Sequence, residues 1–195
     1  FEDQARAEGY TCICGIDEAG RGPLAGPVYA AAVVLRPGQV IEGVNDSKKL
    51  SEKKREALFD TICSQCAAYG IGSVTEKELD EINILNATYL AMQRAVAALP
   101  VQPDCALVDG NRAPDLPLEV RTIIKGDAQS ASIAAASILA KVSRDRYMLQ
   151  MAEKYPQYAF EKHKGYGTKL HYERLEQYGI SPIHRLSFLK KWMNR

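Results

Sequence analysis

Nowhere in these 195 residues is there an apolar run of the ~20 residues that a membrane helix needs. The opening stretch, FEDQARAEG, is too acidic and polar for a signal peptide. Both absences lead to the expectation of a cytoplasmic protein without membrane contact. Cysteine is scarce and odd in number: five residues without a secretion signal argue against a disulfide framework. Cys12 and Cys14 alternate along a predicted strand and should share one buried face. Cys63 and Cys66 have helical spacing but lack the second pair that a zinc site needs. No repeat, low-complexity tract or linker interrupts the chain. It reads as one domain over 1–195, with a core from about 10 to 155 and a C-terminal helical segment from about 156 to 195.

Charge is nearly balanced, at +1, so it singles out no partner globally. Its distribution is uneven: residues 1–24 carry five acids against two bases, and residues 156–195 carry eight bases against three acids. A basic tail near an acidic pocket suits a polyanion whose chemistry needs metal ions, although a solvated face has the same composition.

What is present is an α/β pattern. TCICGID and VYAAAVVL are apolar runs joined by the turn GRGPLAGP, the signature of a hairpin. Ser51 is placed to cap a helix over SEKKREALFDTICSQC, and AYGIGSV is a third strand. Thr75 and Glu78 form a capping box for a helix, in one or two pieces, that Pro100 closes. CALVDG and EVRTIIKGD are further strands, and a helix rich in Ala and Ser follows from Gln129 to about Tyr155. An antiparallel start followed by strand–helix alternation predicts a mixed sheet flanked by helices.

Three predicted strands end in acid: Asp17-Glu18, Asp109 and Asp127, each close to a glycine that permits a sharp exit. Strand ends on one edge of an α/β sheet converge, which is where such folds place their chemistry. Carboxylates crowded there raise one another's pKa unless a cation intervenes, and hard oxygen ligands select Mg²⁺ or Mn²⁺. Neighbours on a strand point to opposite faces, so Asp17 and Glu18 reach one metal only if the strand breaks, twists or lends a carbonyl. Each acid alone could equally be a cap or turn residue, and Asp127 is placed to cap the long helix. GRGPLAG lacks the Lys-Ser/Thr of a phosphate-binding P-loop, and a strand follows it where a dinucleotide fingerprint needs a helix. It offers backbone N–H groups and one guanidinium beside the acids, which suits a sugar–phosphate backbone.

GIDEAGRGPLAGPV, NDSKKLS, LNATYLAMQRAV, LVDGNR, KGDAQSASIAAASILAKVSRD, HKGYGT and HRLSF together resemble the ribonuclease HII family, the bacterial type 2 ribonuclease H, over nearly the whole chain. The resemblance implies a ribonuclease H-like fold with a mixed five-stranded sheet and a C-terminal helical segment. It implies an endonuclease that hydrolyses the RNA strand of RNA–DNA hybrids and cuts 5′ of single ribonucleotides in duplex DNA by a two-metal mechanism. The family's acidic quartet falls on Asp17, Glu18, Asp109 and Asp127. Its 2′-hydroxyl-reading motif falls on Gly20, Arg21 and Gly22, and its sugar-packing tyrosine on Tyr166. Asn45, Ser47 and Lys48 resemble positions that hold the nucleic-acid backbone. His163 and Lys164, beside Tyr166, are candidates for phosphate contact. His184-Arg185 is expected to anchor the last helix, His171 to need no role, and Lys141, Arg144 and Asp145 to form ion pairs. Family members act as monomers, and the same is expected here. Two rivals remain at this stage: another metal-dependent phosphotransfer enzyme, or a hybrid-binding module whose acids merely cap loops.

Overall fold

The apolar run that carries the acid pair forms the central strand β1, Ile13–Ala19, of a five-stranded sheet. The computed structural model describes residues 1–44 and 49–194. After the short helix α1 (Glu2–Ala7), β1 pairs antiparallel with β2 (Val28–Val34), the predicted hairpin. Helix α2 (Glu52–Gln65) leads to β3 (Ala68–Val74) at one edge, and α3 (Glu76–Ala97) leads to β4 (Cys105–Asp109). β4 pairs parallel with both β1 and β5 (Glu119–Ile123), giving the order β3-β2-β1-β4-β5. The long helix α4 (Ala131–Lys154) follows, then α5 (Phe160–His163), α6 (Lys169–Tyr178) and α7 (Leu186–Met193). This is the mixed, helix-flanked sheet that the pattern predicted.

Period-two alternation divides the core between the two faces. Cys14, Ile16, Ala30 and Ala32 pack toward α3, while Ile13, Ala31 and Val33 pack toward α4 and α2. Burying each such Ile or Val contributes about 1.5–3 kcal/mol. The small residues of α4 serve close approach: a Cβ on Gly15 would lie 2.3 Å from the Ile133 backbone nitrogen. All five cysteines are free thiols, and burial pushes Cys14 up to about 12, which makes it chemically inert.

Helix ends follow the capping signals closely. Ser51 accepts from the Lys54 N–H, and Thr75 with Glu78 completes the capping box. α3 is kinked at Asn83, whose φ is +70° and whose side chain accepts from the Asn86 N–H at 3.0 Å. Two expectations need correction. β5 stops at Ile123, so Asp127 lies in a 3₁₀ turn over Gly126–Ala128 and does not end a strand. The cap of α4 is Ser130, which accepts from the Ile133 N–H at 3.2 Å, and not Asp127. α1, which the sequence reading did not identify, sends Glu2 to accept three hydrogen bonds from Ser130 and Ser132 at that same helix start. The first turn of α7 is likewise capped from a distance, by Asp80 of α3 accepting from the Leu186 and Ser187 N–H groups. Among the described residues no helix is long and apolar enough to cross a membrane.

Candidate active site

β1 stays regular through the acid pair, so alternation sends Asp17 to the α4 face and Glu18 to the α3 face. Asp109 ends the neighbouring parallel strand, two residues beyond buried Leu107 on the same face as Asp17. Its carboxylate accepts from the Gly126 N–H at 2.6 Å, which ties the end of β4 to the 3₁₀ turn carrying Asp127. Asp17, Glu18 and Asp109 line a cavity of about 270 Å³ with Gly20, Arg21, Gly22, Lys141 and Tyr166. A second cavity, of about 340 Å³, opens from Glu18, Arg21 and Asp109 toward Tyr89, Asn111 and Arg112.

Electrostatics identifies this edge as strained. Burial holds the Asp17 carboxyl well above its ordinary pKa, and the charges of Glu18, Asp109 and Asp127 add to the rise. Glu18 is also raised by burial; Arg21 opposes the rise and Asp109 adds to it. The Arg21 guanidinium stands 3.6 Å from Glu18, a partial neutralisation of the acid pair by its own turn. One Asp17 oxygen accepts from the Glu18 N–H at 2.8 Å. Asp17, Glu18 and Asp109 ring the cavity edge, whereas Asp127 lines neither cavity, and among the described residues no three acid, histidine or cysteine side chains stand close enough as placed to hold one ion. The donor chemistry nonetheless fits a hard divalent cation, because it is all oxygen and its negative charge is poorly balanced.

The turn after β1 is built more rigidly than its glycines suggest. Arg185, fully buried, donates to the carbonyls of Gly20 (2.6 Å), Arg21 (3.1 Å) and Gly26 (2.8 Å). Arg144, also fully buried, donates to the carbonyls of Ala25, Pro27 and Lys164. Two guanidiniums thus satisfy six carbonyls, five of them in this turn. Gly20 is required here: its φ is +95°, and a Cβ would stand 2.2 Å from the Arg144 Nε. Burial lowers the Arg185 pKa to about 9, and neighbouring Arg144 adds to the drop. Glu76, buried and facing both guanidiniums, opposes it. Tyr166 is 41% exposed over the cavity, with the Lys141 Nζ and the Arg144 guanidinium each 5.7 Å from its ring centre.

The supporting residues fare unevenly. Asn45, Ser47 and Lys48 lie outside the described residues. The expected phosphate contact of His163 is corrected: the ring is buried, its Nδ1 accepts from the Gly165 N–H and its Nε2 donates to the Tyr158 carbonyl. Lys164 donates to the Glu161 carbonyl at 2.8 Å and lies 3.6 Å from Glu52. Lys141 pairs with Asp145 at 2.8 Å, as its i,i+4 spacing predicted, whereas Arg144 spends its donors on carbonyls. Arg185, not the cap of α7, is what gives HRLSF its structural weight. Neither arginine carries a local sequence signal that reveals its partners.

A mixed sheet in this order, with acids along one strand edge, defines the ribonuclease H-like class of enzymes. The family model of ribonuclease HII matches residues 14–191. A ribonuclease HII of Caldicellulosiruptor bescii is 60% identical over 190 residues, 97% of this chain and 92% of its own. The crystal structure of ribonuclease H2 from Pyrococcus horikoshii OT3 superposes with a TM-score of 0.76 at 30% identity, covering 91% of this chain and 93% of its own. Bst-RNase HIII in complex with Mn²⁺ has the same fold, with a TM-score of 0.68 at 18% identity over 94% of this chain and 69% of its own. The chain belongs to the ribonuclease HII family and is thereby an endonuclease of RNA–DNA hybrids.

Proposed function

We propose that this enzyme cuts duplex DNA 5′ of a single ribonucleotide, at the RNA–DNA junction, and leaves 3′-hydroxyl and 5′-phosphate ends. The observation that carries the reading is Asp17, Glu18 and Asp109 lining one cavity beside a glycine turn. Asp17, Glu18, Asp109 and Asp127 would hold two Mg²⁺ or Mn²⁺ ions, which when bound supply an activated water and stabilise the leaving 3′-oxygen. Lying on adjacent strands of one face, Asp17 and Asp109 fix the near side of that site. Glu18, from the other face, closes its far side with Arg21 steadying the charge.

The turn of Gly20, Arg21 and Gly22 is held by Arg185 close enough to a ribose for its backbone to read the 2′-hydroxyl, the group that separates RNA from DNA. Tyr166 packs on the sugar that follows, where deoxyribose fits more easily than ribose. Lys164, Asn45, Ser47 and Lys48 hold the sugar–phosphate backbone, giving affinity that is independent of sequence. Action as a cytoplasmic monomer, with 1–195 as one catalytic unit, completes the reading. The test is incubation of duplex DNA carrying one ribonucleotide, with and without Mg²⁺, followed by mapping of the cut. A cut on the 5′ side of the ribonucleotide that requires the metal is expected. Cleavage only within long RNA tracts would refute the junction reading.

A further inference from the structure

The chain's three histidines, His163, His171 and His184, are all buried behind the loop that carries Tyr166. The rings of His163 and His171 stack with centroids 4.2 Å apart, and the Nε2 atoms of His171 and His184 are 2.8 Å apart. Hydrogen-bond direction can be followed from one end. The Ser181 backbone N–H points at the His184 Nδ1 at 2.9 Å, so that nitrogen is an acceptor and His184 carries its hydrogen on Nε2. That hydrogen goes to the His171 Nε2, which leaves the His171 hydrogen on Nδ1. His171 Nδ1–H then donates to the Tyr166 carbonyl at 2.8 Å. Each ring is thereby confined to one neutral tautomer, and the chain runs one way, from Ser181 to Tyr166.

We propose that His171 and His184 are positioning residues: their one-way hydrogen-bond chain ends on the Tyr166 carbonyl and sets where the Tyr166 ring stands over the substrate cleft. The proposal rests on the reading of Tyr166 given above, and it adds the device that makes the ring selective. The loop has other supports, since the Thr168 N–H also donates to the Tyr166 carbonyl and the Tyr166 N–H donates to the His163 carbonyl. Those fix the backbone turn locally. The Leu24 N–H donating to the Gly165 carbonyl, and Arg144 donating to the carbonyls of Lys164 and Ala25, join the loop to the glycine turn, while the histidine chain ties Tyr166 itself to Ser181, in the segment that also carries Arg185. The ribose-reading turn and the sugar-packing ring are therefore registered against one common piece of chain.

Two isosteres separate positioning from packing. In His171→Asn the amide nitrogen replaces Nδ1 and keeps the donor to Tyr166 but loses the link to His184. In His171→Gln the longer side chain reaches the Nε2 position and keeps the acceptor for His184 but loses the donor to Tyr166. Both lose the ring, and Gln fills more of its volume than Asn, so a purely packing role predicts the larger loss in His171→Asn. We expect His171→Gln to raise KM for a single-ribonucleotide duplex about tenfold, the worth of one buried hydrogen bond. Its kcat on long hybrid should be nearly unchanged, and His171→Asn, which keeps the donor to Tyr166 but loses its anchor on His184, should raise KM for the junction substrate by a smaller factor, about threefold. Equal losses in the two variants, a larger loss in His171→Asn, or none in either, overturn the proposal.

Nitrogen NMR of the unaltered protein gives a readout that does not depend on the variants folding. It should find His171 protonated on Nδ1 and His184 on Nε2, and any other pair of tautomers overturns the proposal. Tyr166→Ala, measured alongside, separates the two readings. If it leaves KM for the junction substrate unchanged, the assignment of Tyr166 falls, and displacement of the Tyr166 ring resonances in His171→Gln alone decides whether the chain positions that ring.

Discussion

Two regions of this molecule handle buried charge in opposite ways. At the strand edge, four carboxylates influence one another and the most buried of them is pushed well above its ordinary pKa. Around the turn that follows β1, two buried guanidiniums from distant parts of the chain spend their donors on six carbonyls, with Glu76 as their opposing charge. Neither arrangement is cheap, because desolvating an ion costs several kcal/mol. At the acid edge Arg21 offsets only part of that cost for Glu18, and the Asp17 carboxyl stays raised, which suits a cation site. The arginine clasp carries a desolvation cost too, Arg185 being lowered to about 9, but its donors end on carbonyls and fix a recognition turn. The difference separates function from scaffold within one site: the edge crowds like charges, and the clasp spends its donors on holding backbone.

Substitutions should therefore move activity and stability in opposite directions in the two regions. The largest effect is expected for Asp109→Asn, which should abolish metal-dependent cleavage while circular dichroism and melting remain those of a folded protein. Asp17→Asn should also be inactive, yet melt higher by roughly 2–4 °C, the shift that ~1 kcal/mol produces in a domain of this size. The sign follows from the raised pKa. Below the ordinary carboxylate range both states are protonated, and as pH rises through the window up to the folded value the native state is penalised. A neutral Asn escapes that penalty at pH 7. An inactive but destabilised Asp17→Asn would break the comparison from the acid side.

Arg185→Ala comes next and should act in the reverse sense. It leaves the carbonyls of Gly20, Arg21 and Gly26 without their buried donor, at about 1–3 kcal/mol each. A loss of at least ~3 kcal/mol, seen as roughly 6–12 °C in melting temperature, is expected. Unchanged melting would mean that the clasp carries no weight.

An effect of similar size is the acid sensitivity of the clasp's neighbours. Burial holds His171 at about 4 and His184 at about 3, below the ordinary histidine value. The unfolded chain then binds more protons than the native one between pH 6.5 and those values. Stability is full above pH 6.5 and falls on acidification, by up to about 1.4 kcal/mol per pH unit for each histidine. Chemical denaturation at pH 7.5 and pH 5 measures this, and a flat response would contradict the burial of the pair. The smallest effect is ionic: affinity for hybrid should weaken steadily as salt rises from 50 to 200 mM, and a flat response would exclude phosphate contacts.

Much of this was legible in the sequence because it rests on local rules. The hairpin, the capping box at Thr75, the cap at Ser51 and the placement of Asp109 at a strand end follow from alternation, turn residues and cap chemistry. What was misread depends on residues far apart in the chain. EVRTIIKGD reads as one strand, yet the chain turns at Lys125, where φ is +55°, to deliver Asp127 on a 3₁₀ turn. His163 reads as a phosphate ligand beside a tyrosine until Tyr158 and Gly165 are seen to occupy both its nitrogens. Arg144 and Arg185 reveal their partners only when residues 117 to 165 positions away arrive beside them. α1 escaped notice because six polar and small residues carry no periodic signal, and its anchor is a serine pair at the start of α4.

The most direct test of the central claim is the melting temperature of the protein and of Asp109→Asn, each with and without millimolar Mg²⁺ or Mn²⁺. A site that holds divalent ions in the native state alone raises stability by mass action, by ~2.7 kcal/mol at a hundredfold excess over the dissociation constant. The account predicts a clear upward shift for the unaltered protein that Asp109→Asn loses. Equal shifts in the two, or none in either, would contradict a cation site at this strand edge.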